Sequence, residues 1–418
     1  LDEQRREDPA EFGDLLRWHR RRLGLSQAQL ASAAGLAVRT IRGVELGRTR
    51  RPHHDSTRLL ADALGLTNDA REEFEASAAG AGSPAQRVEH GRVVPSQLPP
   101  DLPDFGGRAE EADAVGALVA SGPVVVISGP VGIGKTALAL RVGHELSASF
   151  PDGHLYADLG GSACPVRSED VLGWFLRALG VEAGAIPADP QERAALYRTR
   201  IARGLTLVVL DDAADEAQVR PLLPGAPGCR TLVTSRARLV TLPGARLLSL
   251  SVPTAAAAME ILVRASGRRL AEDERTAAGE IVERCDRLPL ALRIAGARLA
   301  ALPGLSWENL AERLRHDRSR LDELAVRDMT MRGRLDSSCR HLDEVAGQVF
   351  LRLARLETPT FTWSACRQLP GLSEWAAEAA MQRLVDVGLV DVAATGGRET
   401  LYHLHELFRL YGLERTAP

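Results

Sequence analysis

Apolar positions recur at three- and four-residue spacing through the first part of the chain, which predicts short amphipathic helices. In "PAEFGDLLRWHRRRLGL" Phe12, Leu15, Leu16 and Leu23 fall on one helical face. "SQAQLASAAG" opens on Ser26, a capping residue, and stops at Gly35. "AVRTIRGVEL" spaces Val38, Ile41 and Val44 three apart, which turns them inward and leaves Arg39, Thr40, Arg42 and Gly43 outside. Two more helices are predicted from "STRLLADALGL" and "NDAREEFEAS", so residues 1–80 read as an all-α head. The stretch "AGAGSPAQRVEHGRVVPSQLPPDLPDF" has no apolar period and is rich in Gly, Ser and Pro; residues 81–100 are expected to be a linker.

Between residues 101 and 250 the period changes. The runs "PVVVIS", "HLYADL", "LTLVVL", "RTLVTS" and "ARLLSL" are nearly continuous in apolar residues and alternate with helical stretches. Strands of that kind are buried on both faces, which predicts a mostly parallel α/β sheet. Residues 251–325 return to a helical period. Residues 326–418 mix helices with a hairpin in "LVDVAATGGRETLYHL", turning at Gly396-Gly397. There is no internal repeat of solenoid length.

Composition narrows the class. The chain has 418 residues, enough for two to four domains, and its 45% hydrophobic content suits packed cores built from Leu, Val and Ala, since aromatics are 4%. No uncharged apolar run is long enough to span a bilayer, and "LDEQRREDPAEF" is not an apolar leader, so no membrane partner is expected. Cys164, Cys229, Cys285, Cys339 and Cys366 are scattered, which argues against a zinc or disulfide framework and for the cytoplasm. The net charge of −3 hides an asymmetry. Residues 15–60 hold ten Arg against Glu45 and Asp55, a net +8, on a body that is net −11. A small cationic module on an acidic body is the footprint of a nucleic-acid-binding head.

One lysine stands among 52 basic residues: Lys135, in "GPVGIGKTAL". The all-Arg habit suggests a high-GC bacterial genome, and the exception marks chemistry. Gly129 to Thr136 fits G-x-x-x-x-G-K-[ST], after a strand-like "VVVIS" and before a helix-forming "TALALRVGHEL". Glycines there let backbone N–H groups face phosphate oxygens, the helix start adds positive potential, and a compact ammonium reaches the β/γ-phosphates where a planar guanidinium does not fit. Gly129, Gly132, Gly134, Lys135, Thr136 and Ala137 are therefore the expected nucleotide-binding positions. About 75 residues on, "LTLVVLDDAAD" ends an apolar strand in two acids. Asp211 and the Thr136 hydroxyl are the expected Mg²⁺ ligands, and Asp212 the group that orients or activates water.

With these motifs the chain resembles the NB-ARC group of STAND P-loop ATPases, and in particular its bacterial transcription-regulating members. The likeness runs from about residue 98 to 412. It implies ATP/ADP as ligand, a helical domain over 251–325, and a winged-helix domain over 326–418. "FGGRAEE" resembles the family's opening segment and places Arg108 near the nucleotide. "TLVTSR" resembles the sensor strand and places Arg236 at the γ-phosphate, beside Lys135 and Asp212 in the catalytic set. "RLPLAL" resembles the GLPL motif, with Pro289 packing on the adenine; its Gly is Arg287 here, against any need for a positive φ. "LHELFRLY" resembles the MHD motif, with His405 touching ADP phosphate and Glu406 in place of Asp.

The head, over residues 12 to 66, resembles phage-repressor (XRE-type) helix-turn-helix domains. That resemblance implies double-stranded operator DNA as partner. Arg39, Thr40 and Arg42 would face base edges, and Gln27 the DNA backbone and the recognition helix. Arg48, Arg50 and Arg51 would meet phosphates. Together these features predict a nucleotide-switched transcription regulator, closed with ADP, opening with ATP to self-associate and pair its heads, with slow ATP hydrolysis as a reset. Control of a biosynthetic or secondary-metabolite pathway is the expected setting. The alternative is a signalling scaffold whose head recruits a protein effector. A metabolic P-loop kinase is disfavoured, because no acceptor-activating pair stands beyond Asp211 and Asp212. A repeat-built sensor usually follows the winged helix in this family; its absence before Pro418 suggests a truncated chain or a separate sensor.

Overall fold

The computed structural model describes residues 12–47, 49, 52–67, 71, 74–75, 77–78, 94–161, 164–362, 364, 373–394 and 400–416. The chain forms two compact units, residues 1–93 and 94–418. No helix among the described residues is long and apolar enough to cross a membrane.

In the first unit α1 (Phe12–Arg22), α2 (Gln27–Ala33), α3 (Val38–Glu45) and α4 (His54–Ala63) enclose Leu16, Leu30, Ile41, Leu60 and Phe74, all fully buried. The Ser26 cap is a full capping box: its Oγ accepts from Gln29 N at 3.2 Å and Gln29 Oε1 accepts from Ser26 N at 2.8 Å. Two expected core positions are exposed. Leu23 lies in the turn beyond α1, before Gly24 at φ +66, and Val38, the first residue of α3, is 47% exposed. Ile41 and Val44 are buried as expected.

The second unit is built on five parallel strands, β1 (Val124–Ser128), β2 (His154–Asp158), β3 (Leu207–Ala213), β4 (Arg230–Ser235) and β5 (Ala245–Ser249). Their order is β2-β3-β4-β1-β5. The alternation of the strands divides two cores. Val125, Ile127, Leu207, Val209 and Leu232 face one, and Val124, Val126, Val208, Leu210 and Val233 face the other. The first core continues without a break through a helical segment into the C-terminal part of the chain, as far as Tyr411. Residues 94–100, expected as linker, belong to this unit: Gln97 N donates to His154 O at 3.0 Å, and Leu98 packs on the core.

Around the sheet lie α5 (Ala109–Ser121), α6 (Lys135–Glu145), α7 (Ser168–Ala178), α8 (Pro190–Ile201) and the short α9 (Glu216–Val219). The helical segment holds α10 (Ala255–Ser266), α11 (Arg275–Arg284), α12 (Pro289–Ala301), α13 (Trp307–Arg315) and α14 (Asp317–Glu323). A small ladder, β6 (Ala325–Val326) with β7 (Met329–Thr330), leads to α15 (Met331–Cys339) and α16 (Glu344–Leu353). Then come β8 (Thr360–Thr362), α17 (Glu374–Asp386), β9 (Asp391–Ala394), β10 (Leu401–His403) and α18 (Glu406–Glu414). β8, β10 and β9 form an antiparallel sheet in that order, the helix-and-wing pattern expected for 326–418. The expected Gly396-Gly397 turn falls outside the described residues, between two strands that do pair.

Candidate functional site

Strand β1 runs out at Ser128 and α6 starts at Lys135, so the loop must reverse direction within six residues. Gly132 at φ +75 and Gly134 at φ +96 make that reversal in backbone space that L side chains rarely enter. The first intrahelical bond of α6 runs from Leu138 N to Gly134 O, so the N–H groups of Lys135, Thr136 and Ala137 open the helix with no intrahelical acceptor. Free N–H groups at a helix start of this kind suit an anion. The Lys135 ammonium folds over the loop and donates to Gly129 O at 2.8 Å and Pro130 O at 2.9 Å. Burial lowers its pKa to about 8, with the Arg236 charge adding to the drop; Asp212, Asp211 and Asp391 oppose it.

The acid pair is placed by a break in register. β3 pairs with β4 through Leu210↔Val233 and resumes at Ala213↔Ser235, which leaves Asp211 and Asp212 opposite Thr234. Asp212 takes up the extra length at φ +50. Thr234 Oγ1 accepts from Asp212 N at 2.9 Å and donates to Asp211 Oδ1. Thr136 Oγ1 lies 2.8 Å from Asp211 Oδ1, and the Tyr156 hydroxyl donates to Oδ2 at 3.3 Å. The Asp211 carboxyl is buried, and burial raises its pKa, with Asp158 and Asp212 adding to the rise; hydroxyl bonds from Thr234 and Thr136 oppose it. A buried carboxylate facing the first threonine of the helix, held among the described residues by neutral hydroxyls, is a donor set that suits a hard divalent cation. Thr234 and Tyr156 carried no signal of their own in the sequence.

Arg108 is buried against the same loop, with a guanidinium nitrogen donating to Ser251 O at 2.7 Å and a salt bridge to Glu111. Its Nε is buried and meets no acceptor among the described residues, which fits a polar group arriving from a ligand. Pro289 takes the N1 position of α12 and lies against Gly134, while Leu290 N donates to Gly132 O at 3.0 Å. Arg287 adopts φ +51 and Asp286 φ +52. The positive φ that the missing glycine put in question is therefore present, carried by two non-glycine residues.

The C-terminal part closes on the loop. Val131 N donates to Gly388 O at 3.3 Å. Arg236 donates to Ser338 of α15, and burial lowers its pKa. His405 is buried with both ring nitrogens engaged: Nδ1 donates to Asp286 Oδ2 at 2.8 Å and Nε2 to Asp391 Oδ2 at 3.0 Å. Burial lowers its pKa, yet these two carboxylates carry it up to about 9, so it is an imidazolium at neutral pH. Asp286 also accepts from Glu406 N at 2.9 Å, at the start of α18. Asp286, Asp391 and Ser338 were not singled out by the sequence, because their contacts with His405 and Arg236 are set by how the elements fold together rather than by local pattern.

In the head, Arg39 and Arg42 are exposed on α3 and Thr40 is half-buried beside them. Gln27 Nε2 donates to Glu45 Oε2 at 2.8 Å, so its amide contacts α3. Glu45 is buried, and Arg20 grips it with two bonds of 2.6 and 2.9 Å. Burial alone would raise the Glu45 pKa; Arg20 and Gln27 hold it below the usual carboxylate value. Arg48, Arg50 and Arg51 lie outside the described residues.

Comparison with known proteins agrees with both halves. Residues 11–74 match the family model for a helix-turn-helix domain. The chain is 40% identical over 374 residues to the regulatory protein AfsR of Streptomyces griseus, covering 85% of this chain and 38% of that protein. It is 40% identical over 376 residues to AfsR of Streptomyces coelicolor, with the same coverage. It thus spans well under half the length of these relatives. Among solved structures, the Walker-type ATPase PABY2304 of Pyrococcus abyssi superposes with a TM-score of 0.51 at 14% identity, over 76% of this chain and 99% of that one, a likeness of fold. The chain is therefore similar to AfsR over 85% of its length, with a helix-turn-helix match in its head and a body whose fold resembles that of a Walker-type ATPase.

Proposed function

We propose that this chain is the DNA-binding and nucleotide-switch portion of a transcription regulator. Lys135, set in a Gly132/Gly134 loop at the start of α6 and facing the Thr136–Asp211 pair, carries the reading. ATP or ADP is the ligand, with phosphates on Gly129, Gly132, Gly134, Lys135, Thr136 and Ala137, Arg108 near the nucleotide and Pro289 against the adenine. Thr136 and Asp211 would hold Mg²⁺, which supplies charge neutralisation at the phosphates. Asp212 serves a slow ATPase with Lys135, and Arg236 senses the γ-phosphate once released from Ser338. His405 holds the C-terminal part over the loop in the ADP state. ATP loosens that contact, promotes self-association and pairs the heads on operator DNA. Arg39, Thr40 and Arg42 read bases there, with Gln27 beside them and Arg48, Arg50 and Arg51 on phosphates. The relatives' description as regulatory proteins supports the regulator reading; a biosynthetic or secondary-metabolite pathway is the proposed setting.

The test is to denature the purified chain and chromatograph the released nucleotide, then footprint DNA with ADP- and ATP-loaded protein. Stoichiometric ADP, and protection that strengthens with ATP and is lost on Arg39→Ala with Arg42→Ala, is expected. A chain that neither carries nor binds adenine nucleotide overturns the switch. A head without salt-sensitive DNA binding overturns the regulator in favour of a scaffold.

A further inference from the structure

A cavity of about 550 Å³ opens between the phosphate loop and the C-terminal sheet. Its lining is largely apolar, with Arg236, Arg238, His403 and His405 as its cationic and imidazole side chains beside Gly129 and Pro130 of the loop. Among the lining residues the one acid is Asp391, the first residue of β9. Its Oδ2 accepts from His405 Nε2 at 3.0 Å, and its charge acts on the Lys135 ammonium, countering part of the effect of burial there. The second carboxylate on His405 is arranged differently. Asp286 takes Nδ1 and the Glu406 N–H, and it is absent from the cavity lining. One carboxylate anchors; the other stands in the chamber with the loop.

A carboxylate and a phosphate oxygen are alternative acceptors for the same charged N–H donors, and two anions sharing one set of cations repel. We propose that Asp391 is an internal competitor for the nucleotide phosphates, occupying His405 and neutralising the phosphate loop until nucleotide displaces it. The inference rests on the nucleotide reading above. Nucleotide arrival then breaks the Asp391–His405 bond, which ties occupancy of the loop to the attachment of β9. Asp391 is a positioning residue in this scheme and takes no part in bond-making.

The experiment is calorimetric titration of nucleotide-stripped full chain with ADP, for the parent and for Asp391→Asn, Asp286→Asn and Lys135→Ala. Asp391→Asn is expected to tighten ADP about tenfold and to lower the melting temperature of the empty protein while raising that of the ADP-bound form. Asp286→Asn removes a carboxylate from the same imidazole and is expected to give no tightening. Unchanged or weaker ADP binding by Asp391→Asn, and by Asp391→Ser as a second neutral variant, overturns the competitor role. No ADP binding by the parent, the Asp391 variants or Lys135→Ala overturns the nucleotide reading itself and this inference with it.

Discussion

His405 shows how one side chain acquires a role from its surroundings. Alone, an imidazole titrates near 6.5. Held by Asp286 and Asp391 it titrates at about 9, so its stabilising contribution is complete below about 6.5 and is lost as the pH rises through 9. Lys135 runs the other way: its value is lowered to about 8, so stability rises between about 8 and 10.5, where the folded lysine has lost its proton and the unfolded one still holds it. The two effects overlap above pH 8, and comparison with a variant separates them. The melting-temperature difference between the parent and His405→Gln is expected to be largest near pH 6.5 and to shrink towards pH 9.5. A difference that stays constant over that range would mean the imidazolium does not hold these elements together. The motif around His405 was legible in sequence; the two acids that set its charge were not, since they lie 119 and 14 residues away.

At the level of elements, the turn between α11 and α12 concentrates the strain of the second unit. Asp286 and Arg287 both stand in left-handed backbone, which costs a non-glycine residue about 1 kcal/mol. Asp286 repays that cost by aiming its carboxylate at His405 and at the start of α18. Arg287 has only a partly exposed contact with Glu283 at 3.4 Å, which contributes little. Arg287→Gly is therefore expected to stabilise the protein by about 1 kcal/mol in chemical denaturation. No change or a loss would show that the guanidinium makes a contribution the static contacts miss. The strands were legible because runs buried on both faces have a distinctive composition, and all five predicted sheet strands form. Their order was not legible. Nothing local states that β4 inserts between β1 and β3, and that insertion is what brings Thr234 to Asp211.

For the whole molecule, the division into two compact units predicts separable stability. Glu45 is buried against Arg20 and Gln27 in the first unit, and removing one partner of such a pair leaves uncompensated charge inside. Glu45→Ala is expected to lower one calorimetric transition, by about 3 kcal/mol in the head, and to leave the second transition and its response to ADP in place. A single transition that shifts as a whole would show the units to be energetically coupled. Two expectations about extent changed with the structure. Residues 94–100 joined the second unit, because Gln97 and Leu98 find partners on its β2 edge and core. Leu23 and Val38 left the core of the head, because helix periodicity names a face without saying how far a neighbouring helix covers it.

The sequence by itself determined the local chemistry: a lysine-bearing glycine loop ahead of a helix, an apolar strand ending in two acids, a cationic helical head, and the periods that distinguish strands from helices. These are legible because backbone geometry and phosphate binding demand particular residue types at fixed short spacing. Tertiary structure alone decided which groups meet across the chain: Ser338 with Arg236, Gly388 with the phosphate loop, Asp286 and Asp391 with His405. Such pairings depend on how helices and sheets stack, where many residues share the same polarity. Only burial in one common core turns a particular pair into a bond.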